Sequence, residues 1–87
     1  SQIVDVRTPE EFAEGHIAKA VNMNVNDTDF ESKIATLDKE KPVMVYCRSG
    51  GRSAKAAGIL KEKGFKHVYD LDGGMIGWNE ANKPTEN

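Results

Sequence analysis

The sequence predicts an α/β fold in which a small parallel sheet is flanked by helices. Short apolar runs alternate with amphipathic segments along the 87 residues, which is the pattern of parallel strands joined by helical crossovers. The run Val43–Tyr46 is apolar without alternation, as expected for a strand that is buried on both faces. A chain of this length suffices for one modest core, so residues 1–87 are expected to form a single domain.

The first predicted helix has the clearest beginning. A strand is expected at residues 3–6, and Thr8 follows it as a candidate N-cap. Pro9 fits the first helical position and Glu11 completes a capping box, so a short helix is expected to begin here. Gly15 is expected to end it.

A second strand and helix are expected before residue 40. The strand is placed at residues 20–23, and Asp27 or Thr28 is expected to cap a helix that ends near Leu37. Apolar residues recur within this segment at helical spacing, namely Phe30, Ile34 and Leu37.

The second half of the chain repeats the alternation. The strand at 43–46 is followed by a loop and by a helix that Gly64 is expected to end. One face of this helix is predicted to pack on the sheet through Ser53, Ala56, Ala57 and Leu60. A strand at 67–69 and a helix at 75–81 complete the series, and the polar residues 82–87 are expected to be a loose tail.

The single cysteine stands directly after the strongest predicted strand, and it opens the run Cys47-Arg48-Ser49-Gly50-Gly51-Arg52-Ser53. Four basic residues and no acid lie between positions 47 and 61, in a chain whose net charge is −2. Glycines let a backbone turn tightly around a ligand, and a helix start together with two guanidinium groups lowers a thiol pKa. Because ligands of parallel sheets bind beyond the carboxyl ends of the strands, Cys47 is predicted to be a reactive thiolate in an anion site and not a buried core residue.

Composition excludes several other kinds of site. His16 and His67 stand far apart and the cysteine is single, so neither a metal site nor an internal disulfide is expected. The near-neutral charge argues against nucleic acid as a partner, and no apolar run reaches membrane-spanning length. No cofactor is expected. A monomer in the cytoplasm is expected, although a cell-envelope protein with its leader removed, or a trimmed chain, would have the same sequence features.

The chain resembles the rhodanese domain, the module of thiosulfate and related sulfurtransferases. The similarity covers residues 3 to about 84, and its most specific part is the cysteine loop between a strand and a helix. The matching runs are Ile3-Val4-Asp5-Val6-Arg7, Glu11-Phe12, Glu14-Gly15-His16-Ile17, Ala20-Val21-Asn22, Val45-Tyr46 with the loop to Ser53, Gly64-Phe65, Leu71-Asp72-Gly73-Gly74 and Trp78. The resemblance implies a three-layer α/β/α fold. A further strand and helix usually precede the first run in this family, and a proline usually stands where this chain has Asn24 and Val25.

The resemblance also implies sulfur transfer by covalent ping-pong catalysis. The Cys47 thiolate would take the outer sulfur of an anionic donor such as thiosulfate, and a thiol or a protein would then accept it from the persulfide. Arg48 and Arg52 would hold the oxygens of the donor. Backbone N–H groups would converge on the persulfide, with two hydroxyls as further donors, from Ser49, Gly50, Gly51, Arg52 and Ser53.

Other residues of the matching runs are expected to support the structure. Asp5 and Arg7 are expected to tie loops near the site, and His16 to anchor a loop. Trp78 is expected to fill the core under the last helix, and Gly73-Gly74 to form a tight turn.

Three other functions are weighed against sulfur transfer. Cysteine phosphatases place five residues between cysteine and arginine, whereas residues 48–51 stand between them here, and they need a general acid for which only Asp27 or Asp29 is at hand. Arsenate reduction commonly draws on further thiols. A binding module without catalysis is disfavoured by the retained cysteine and arginines. A persulfide relay between proteins uses the same chemistry, and without a second cysteine the sulfur must leave to an outside acceptor.

Overall fold

The computed structural model describes residues 2–71 and 73–87. Its described strands are β1 (Gln2–Asp5), β2 (His16–Ile17), β3 (Val21–Asn22), β4 (Val43–Tyr46), β5 (Val68–Asp70) and β6 (Thr85–Glu86). Four of them form a parallel sheet in the order β3-β1-β4-β5. Strands β2 and β6 pair antiparallel in a small second sheet. The predicted parallel sheet is therefore confirmed, with the cysteine strand in an inner position.

The described helices are α1 (Pro9–Ala13), α2 (Phe30–Ile34), α3 (Gly51–Glu62) and α4 (Gly74–Glu80). The cap of α1 agrees with the prediction: Thr8 accepts from the Glu11 N–H, Glu11 completes the capping box and Pro9 stands at the start. Helix α2 is shorter than predicted. The predicted cap at Asp27 or Thr28 is wrong: the Asp27 side chain binds Lys33 Nζ, its carbonyl accepts from the Phe30 N–H in a turn, and Asp29 is the residue that precedes the helix.

The sheet separates two layers of helices, as the alternation along β4 shows. Val43 and Val45 face a core shared with α2 and α3, to which these helices contribute Phe30, Ile34, Ala56, Ala57 and Leu60. Met44 and Tyr46 face the opposite core, to which α1 and α4 contribute Phe12, Met75 and Trp78. The three-layer α/β/α expectation is confirmed. Because successive side chains of a strand point to opposite faces, Cys47 continues the alternation toward α3 and joins the first core. The prediction that Cys47 is not a buried core residue is therefore wrong, since the residue is buried among apolar side chains.

The prediction of a loose tail is wrong for Thr85 and Glu86. Both pair with β2, and the indole Nε1 of Trp78 donates to the Pro84 carbonyl at 2.8 Å. Polar composition suggested a solvated end, but backbone hydrogen bonds to His16 and Ile17 need no apolar side chain. The segment thus pairs with β2 and helps to position Trp78.

Candidate active site

The site lies at the carboxyl edge of the parallel sheet. Strands β1, β4 and β5 are adjacent and parallel, so the residues at their ends meet on one side of the molecule. Arg7 follows β1, Cys47 follows β4, and Asp70 is the last residue of β5. The predicted position of the cysteine is thus confirmed, and the structure adds an acid at the end of the neighbouring strand.

The thiol of Cys47 lies inside a cage of hydrogen-bond donors. The residue is only 1% exposed, and the Gly50 N–H donates to Sγ at an N–S distance of 3.0 Å. Burial alone raises the pKa of this thiol, but hydrogen bonds from the Ser53 hydroxyl and from the N–H groups of Ser53, Gly50 and Ser49 outweigh it, so the pKa lies below the ordinary value of cysteine. The loop therefore favours the thiolate, the nucleophilic form.

Gly50 allows the backbone to adopt the conformation that surrounds the sulfur. Its φ is +130°, a conformation that side chains with a Cβ rarely adopt. This backbone turn directs the N–H back toward the sulfur of Cys47 and also starts α3 at Gly51. Arg52 and Ser53 therefore lie in the first turn of α3.

Ser53 connects the sulfur to an acid that the sequence interpretation did not single out. Its side chain is fully buried, and its Oγ lies 3.6 Å from Cys47 Sγ. The same hydroxyl lies 2.6 Å from Oδ1 of Asp70 and 3.1 Å from the Gly50 carbonyl. The sequence did contain a signal for Asp70: it is a polar residue at the end of the strand beside β4, and the ends of neighbouring parallel strands meet at the site.

Arg48 stands on the wall of a cavity of about 370 Å³ beside the loop. The other lining residues come from the segment 7–14 and from α4, namely Arg7, Glu11, Glu14, Met75, Ile76 and Asn79. Arg48 is exposed, and within the described residues its guanidinium forms no ion pair. It is thus available to an anion that enters the cavity.

Arg52, the second predicted anion ligand, is already engaged. Its Nη1 and Nη2 donate to the two carboxylate oxygens of Glu11 at 2.7 and 3.0 Å. The hydrogen bond from Arg52, together with those from Thr8, lowers the pKa of Glu11 from 4.5 to about 2. This bidentate pair offsets the charge of Arg52, so its main observed role is to join α3 to α1.

Asp5 and Arg7 form the buried pair that was expected to tie loops together. Arg7 Nε lies 3.0 Å from both carboxylate oxygens of Asp5, and its Nη2 donates to Asp5 Oδ2 at 2.6 Å and to the Gly15 carbonyl at 2.7 Å. Asp5 is fully buried and Arg7 is 6% exposed. The pair thus holds the turn after α1 against the end of β1.

The start of α4 packs directly on the cysteine loop. The N–H of Met75 donates to the Cys47 carbonyl at 2.8 Å, and that of Ile76 donates to the Arg48 carbonyl at 3.2 Å. A Cβ on Gly74 would lie 2.3 Å from the Cys47 carbonyl oxygen, so only glycine allows this approach. Gly73 and Gly74 therefore serve a close backbone contact in addition to the predicted turn, whereas Asp72 of the same motif lies outside the described residues.

His16 and the two aspartates weighed as general acids have structural partners. The ring of His16 stacks on Phe12 with 3.6 Å between centroids, and its Nδ1 lies 2.9 Å from the Phe12 carbonyl. Asp27 and Asp29 both face Lys33, at 3.0 and 3.8 Å. In the described ranges, no cluster of three potential metal ligands occurs. None of the helices described is long and apolar enough to cross a bilayer.

Known proteins are similar to this chain in sequence and in fold. A family model described as Rhodanese-like domain matches residues 1–81. The putative sulfurtransferase YtwF of Bacillus subtilis is 44% identical over 82 residues, which are 94% of this chain and 77% of that protein. The thiosulfate sulfurtransferase GlpE of Shewanella oneidensis is 43% identical over 81 residues, 93% of this chain and 78% of that protein.

Solved structures extend the similarity to the backbone. The crystal structure of the Rhodanese_3 like domain from the Alr3790 protein of Anabaena sp. superimposes with a TM-score of 0.91 at 31% sequence identity. The match covers 99% of this chain and 98% of that one. The family model, the related sequences and the fold agree, and the chain belongs to the family of rhodanese-like domains.

Proposed function

We propose that this protein is a sulfurtransferase that moves sulfane sulfur from an anionic donor such as thiosulfate through a persulfide on Cys47. The observation that supports the nucleophile most directly is the cage around its sulfur, in which the Gly50 N–H lies 3.0 Å from Sγ. The names of the relatives in Shewanella and Bacillus support the reaction class.

The first half-reaction transfers one sulfur atom. The Cys47 thiolate attacks the outer sulfur of thiosulfate and forms a new S–S bond, while the bond to the sulfonate sulfur breaks and its electron pair leaves with sulfite. Charge is conserved, because a thiolate and a dianion become a persulfide anion and a dianion. Sulfite is a stable leaving group and needs no general acid. The N–H groups that stabilise the thiolate then stand close to the persulfide.

Arg48 is the proposed ligand for the sulfonate oxygens of the donor. It is the cavity arginine that lacks an acidic partner within the described residues. Arg52 would contribute mainly by holding α3 and the loop in position through its pair with Glu11. Ser49 and Gly51 would add N–H donors to the loop.

The second half-reaction passes the sulfur to an outside nucleophile. Cyanide serves as the acceptor in an assay, and a thiol or a protein thiol is the proposed acceptor in the cell. The attack on the outer sulfur breaks the S–S bond and restores the Cys47 thiolate. We propose that residues 1–87 act as a monomeric unit in the cytoplasm, where thiols are kept reduced.

The test is thiocyanate formation from thiosulfate and cyanide, run beside Cys47→Ser and beside a generic phosphatase substrate. We expect the native protein to form thiocyanate and to release no phosphate. The variant is expected to form no thiocyanate, because a serine hydroxyl is not ionised at neutral pH. Mass spectrometry after thiosulfate treatment is expected to show a gain of one sulfur atom on the native protein alone. Phosphate release without thiocyanate would contradict the proposal and favour the phosphatase alternative.

A further inference from the structure

The hydroxyl group of Ser53 has one proton, and three acceptors lie within its reach once Cys47 is ionised. As a thiol, Cys47 instead donates to Ser53 Oγ. Asp70 Oδ1 lies at 2.6 Å, the Gly50 carbonyl at 3.1 Å and Cys47 Sγ at 3.6 Å. A serine hydroxyl donates only one hydrogen bond at a time. The sulfur and the carboxylate therefore compete for the same proton.

The outcome of this competition depends on the state of the sulfur. A thiolate is a charged acceptor and draws the Ser53 proton toward Sγ. After sulfur loading, Sγ is a neutral disulfide-type sulfur and the negative charge lies one atom further out. The proton then has a better acceptor in Asp70. Only the O–H bond direction changes, and no proton leaves Ser53.

Among residues 2–71 and 73–87, the other charged groups around the sulfur are paired or lie on the cavity side. Asp5 from β1 is bound to Arg7, and Glu11 from α1 is bound to Arg52 of α3. Arg48 stands in the loop itself, the first turn of α4 has no acid, and α2 presents Phe30 and Ile34 to this core. Among the described residues, Asp70 is thus the acid without a cationic partner that contacts a ligand of the sulfur.

We propose that Asp70 is a positioning residue that holds the Ser53 hydroxyl away from the Cys47 sulfur. The free thiolate is thereby less stable, and the sulfur-loaded enzyme more favoured, than they would be without Asp70. Asp70 lies on the exposed end of β5 while Ser53 and Cys47 are buried. This acid therefore acts on the sulfur through Ser53. The part that concerns the loaded enzyme rests on the proposed sulfur transfer.

The first experiment measures the pH dependence of Cys47 alkylation by iodoacetamide. Asp70→Asn and Asp70→Ala are each expected to move the midpoint of this profile to lower pH by about 0.5 unit or more, since the hydroxyl is released to the thiolate. Ser53→Ala is expected to move the midpoint to higher pH because the donor is lost. Glu62→Gln, a charge-matched change at the far end of α3, is expected to leave it in place.

A double-mutant cycle separates the hydrogen-bond effect from a simple charge effect. If Asp70 acts through Ser53, Asp70→Asn has little effect on the midpoint in the Ser53→Ala background. A shift of equal size in both backgrounds would show that only the charge of Asp70 acts on the sulfur, and no shift in either would show that it does not act at all. Either result would overturn the inference. Urea unfolding of each variant identifies those that are not folded.

The second experiment measures the loaded state itself. The protein is equilibrated with fixed ratios of thiosulfate and sulfite, and the persulfide fraction is read by mass spectrometry. Asp70→Asn is expected to lower this fraction at each ratio, whereas an unchanged or higher fraction would contradict the loaded-state part. If the native protein forms no persulfide, the proposed function fails, while the alkylation cycle still tests the link between Asp70 and the thiol.

Discussion

Arg52 and Glu11 form a bidentate ion pair between the first turn of α3 and helix α1, with N–O distances of 2.7 and 3.0 Å. Glu11 Oε1 also accepts hydrogen bonds from the N–H and the hydroxyl of Thr8. One carboxylate therefore completes the cap of α1 and fixes the helix that follows the cysteine loop. Its loss affects both.

Glu11→Gln is expected to lower the free energy of unfolding by about 1 kcal/mol at neutral pH, because one ion pair and part of a helix cap are lost. The pKa of Glu11 is depressed from 4.5 to about 2 by its hydrogen bonds to Arg52 and Thr8. The stabilisation is thus fully present above pH 4.5 and is lost as the pH falls through about 2. Urea unfolding at pH 7 and at low pH measures both values.

The neighbouring Glu10 provides the control for this comparison. Glu10→Gln removes the same charge from the first turn of α1 without breaking the pair to Arg52, and its effect is expected to be smaller. A difference between Glu11→Gln and the native protein that persists unchanged at pH 2 would contradict the ion-pair explanation.

Gly74→Ala is expected to destabilise the protein and to reduce sulfur transfer. The added Cβ would lie 2.3 Å from the Cys47 carbonyl oxygen and 2.8 Å from that of Arg48, and the residue has a φ of +52°. Either the start of α4 or the cysteine loop must therefore move. Thermal unfolding and thiocyanate formation measure the two effects.

Gly58 is the matched control for this substitution. It lies within α3, and a Cβ there would have no heavy atom within 4 Å. Gly58→Ala is expected to stabilise the protein by about 0.5–1 kcal/mol, since alanine loses less entropy in a helix. Equal stability of the two alanine variants would contradict the close contact between the start of α4 and the cysteine loop.

Local sequence patterns predicted the local parts of the structure. The apolar run gave the bounds of β4, and Thr8, Pro9 and Glu11 placed α1, because caps and strands depend on residues close together in the chain. The position of Cys47 followed from the rule that parallel strands end at one edge. The late start of α2 was missed, because the segment is helical in pattern but Asp27 forms a backbone turn to Phe30 and pairs its side chain with Lys33 instead of capping the helix.

Contacts between distant residues could not be predicted in this way. Glu11 and Arg52 are 41 positions apart, and no local pattern indicates that their helices meet. Arg52 was predicted to bind the donor, and its ion pair with Glu11 in the structure was for this reason missed. Asp70 was missed because the predicted strand ended at Tyr69, one residue short of the acid that binds Ser53.

Asp5→Asn is expected to lower the free energy of unfolding by about 3 kcal/mol, because it leaves the charge of Arg7 buried without its partner. The exposed pair of Asp27 and Lys33 provides a contrast. Asp27→Asn breaks that pair in solvent and is expected to change stability little. Urea unfolding compares the two variants, and similar losses for both would contradict the structural role assigned to the Asp5–Arg7 pair.

Arg48→Gln is expected to lower kcat/KM for thiosulfate by about tenfold, since one charge-assisted hydrogen bond to the donor is lost. Alkylation separates anion binding from thiol reactivity: the rate with iodoacetate is expected to fall more than the rate with uncharged iodoacetamide. Lys61→Gln removes the same charge near the other end of α3 and is expected to leave this rate ratio unchanged. An Arg48→Gln protein with the native ratio and native kcat/KM would mean that the anion is held by Arg52 or by the backbone of the loop.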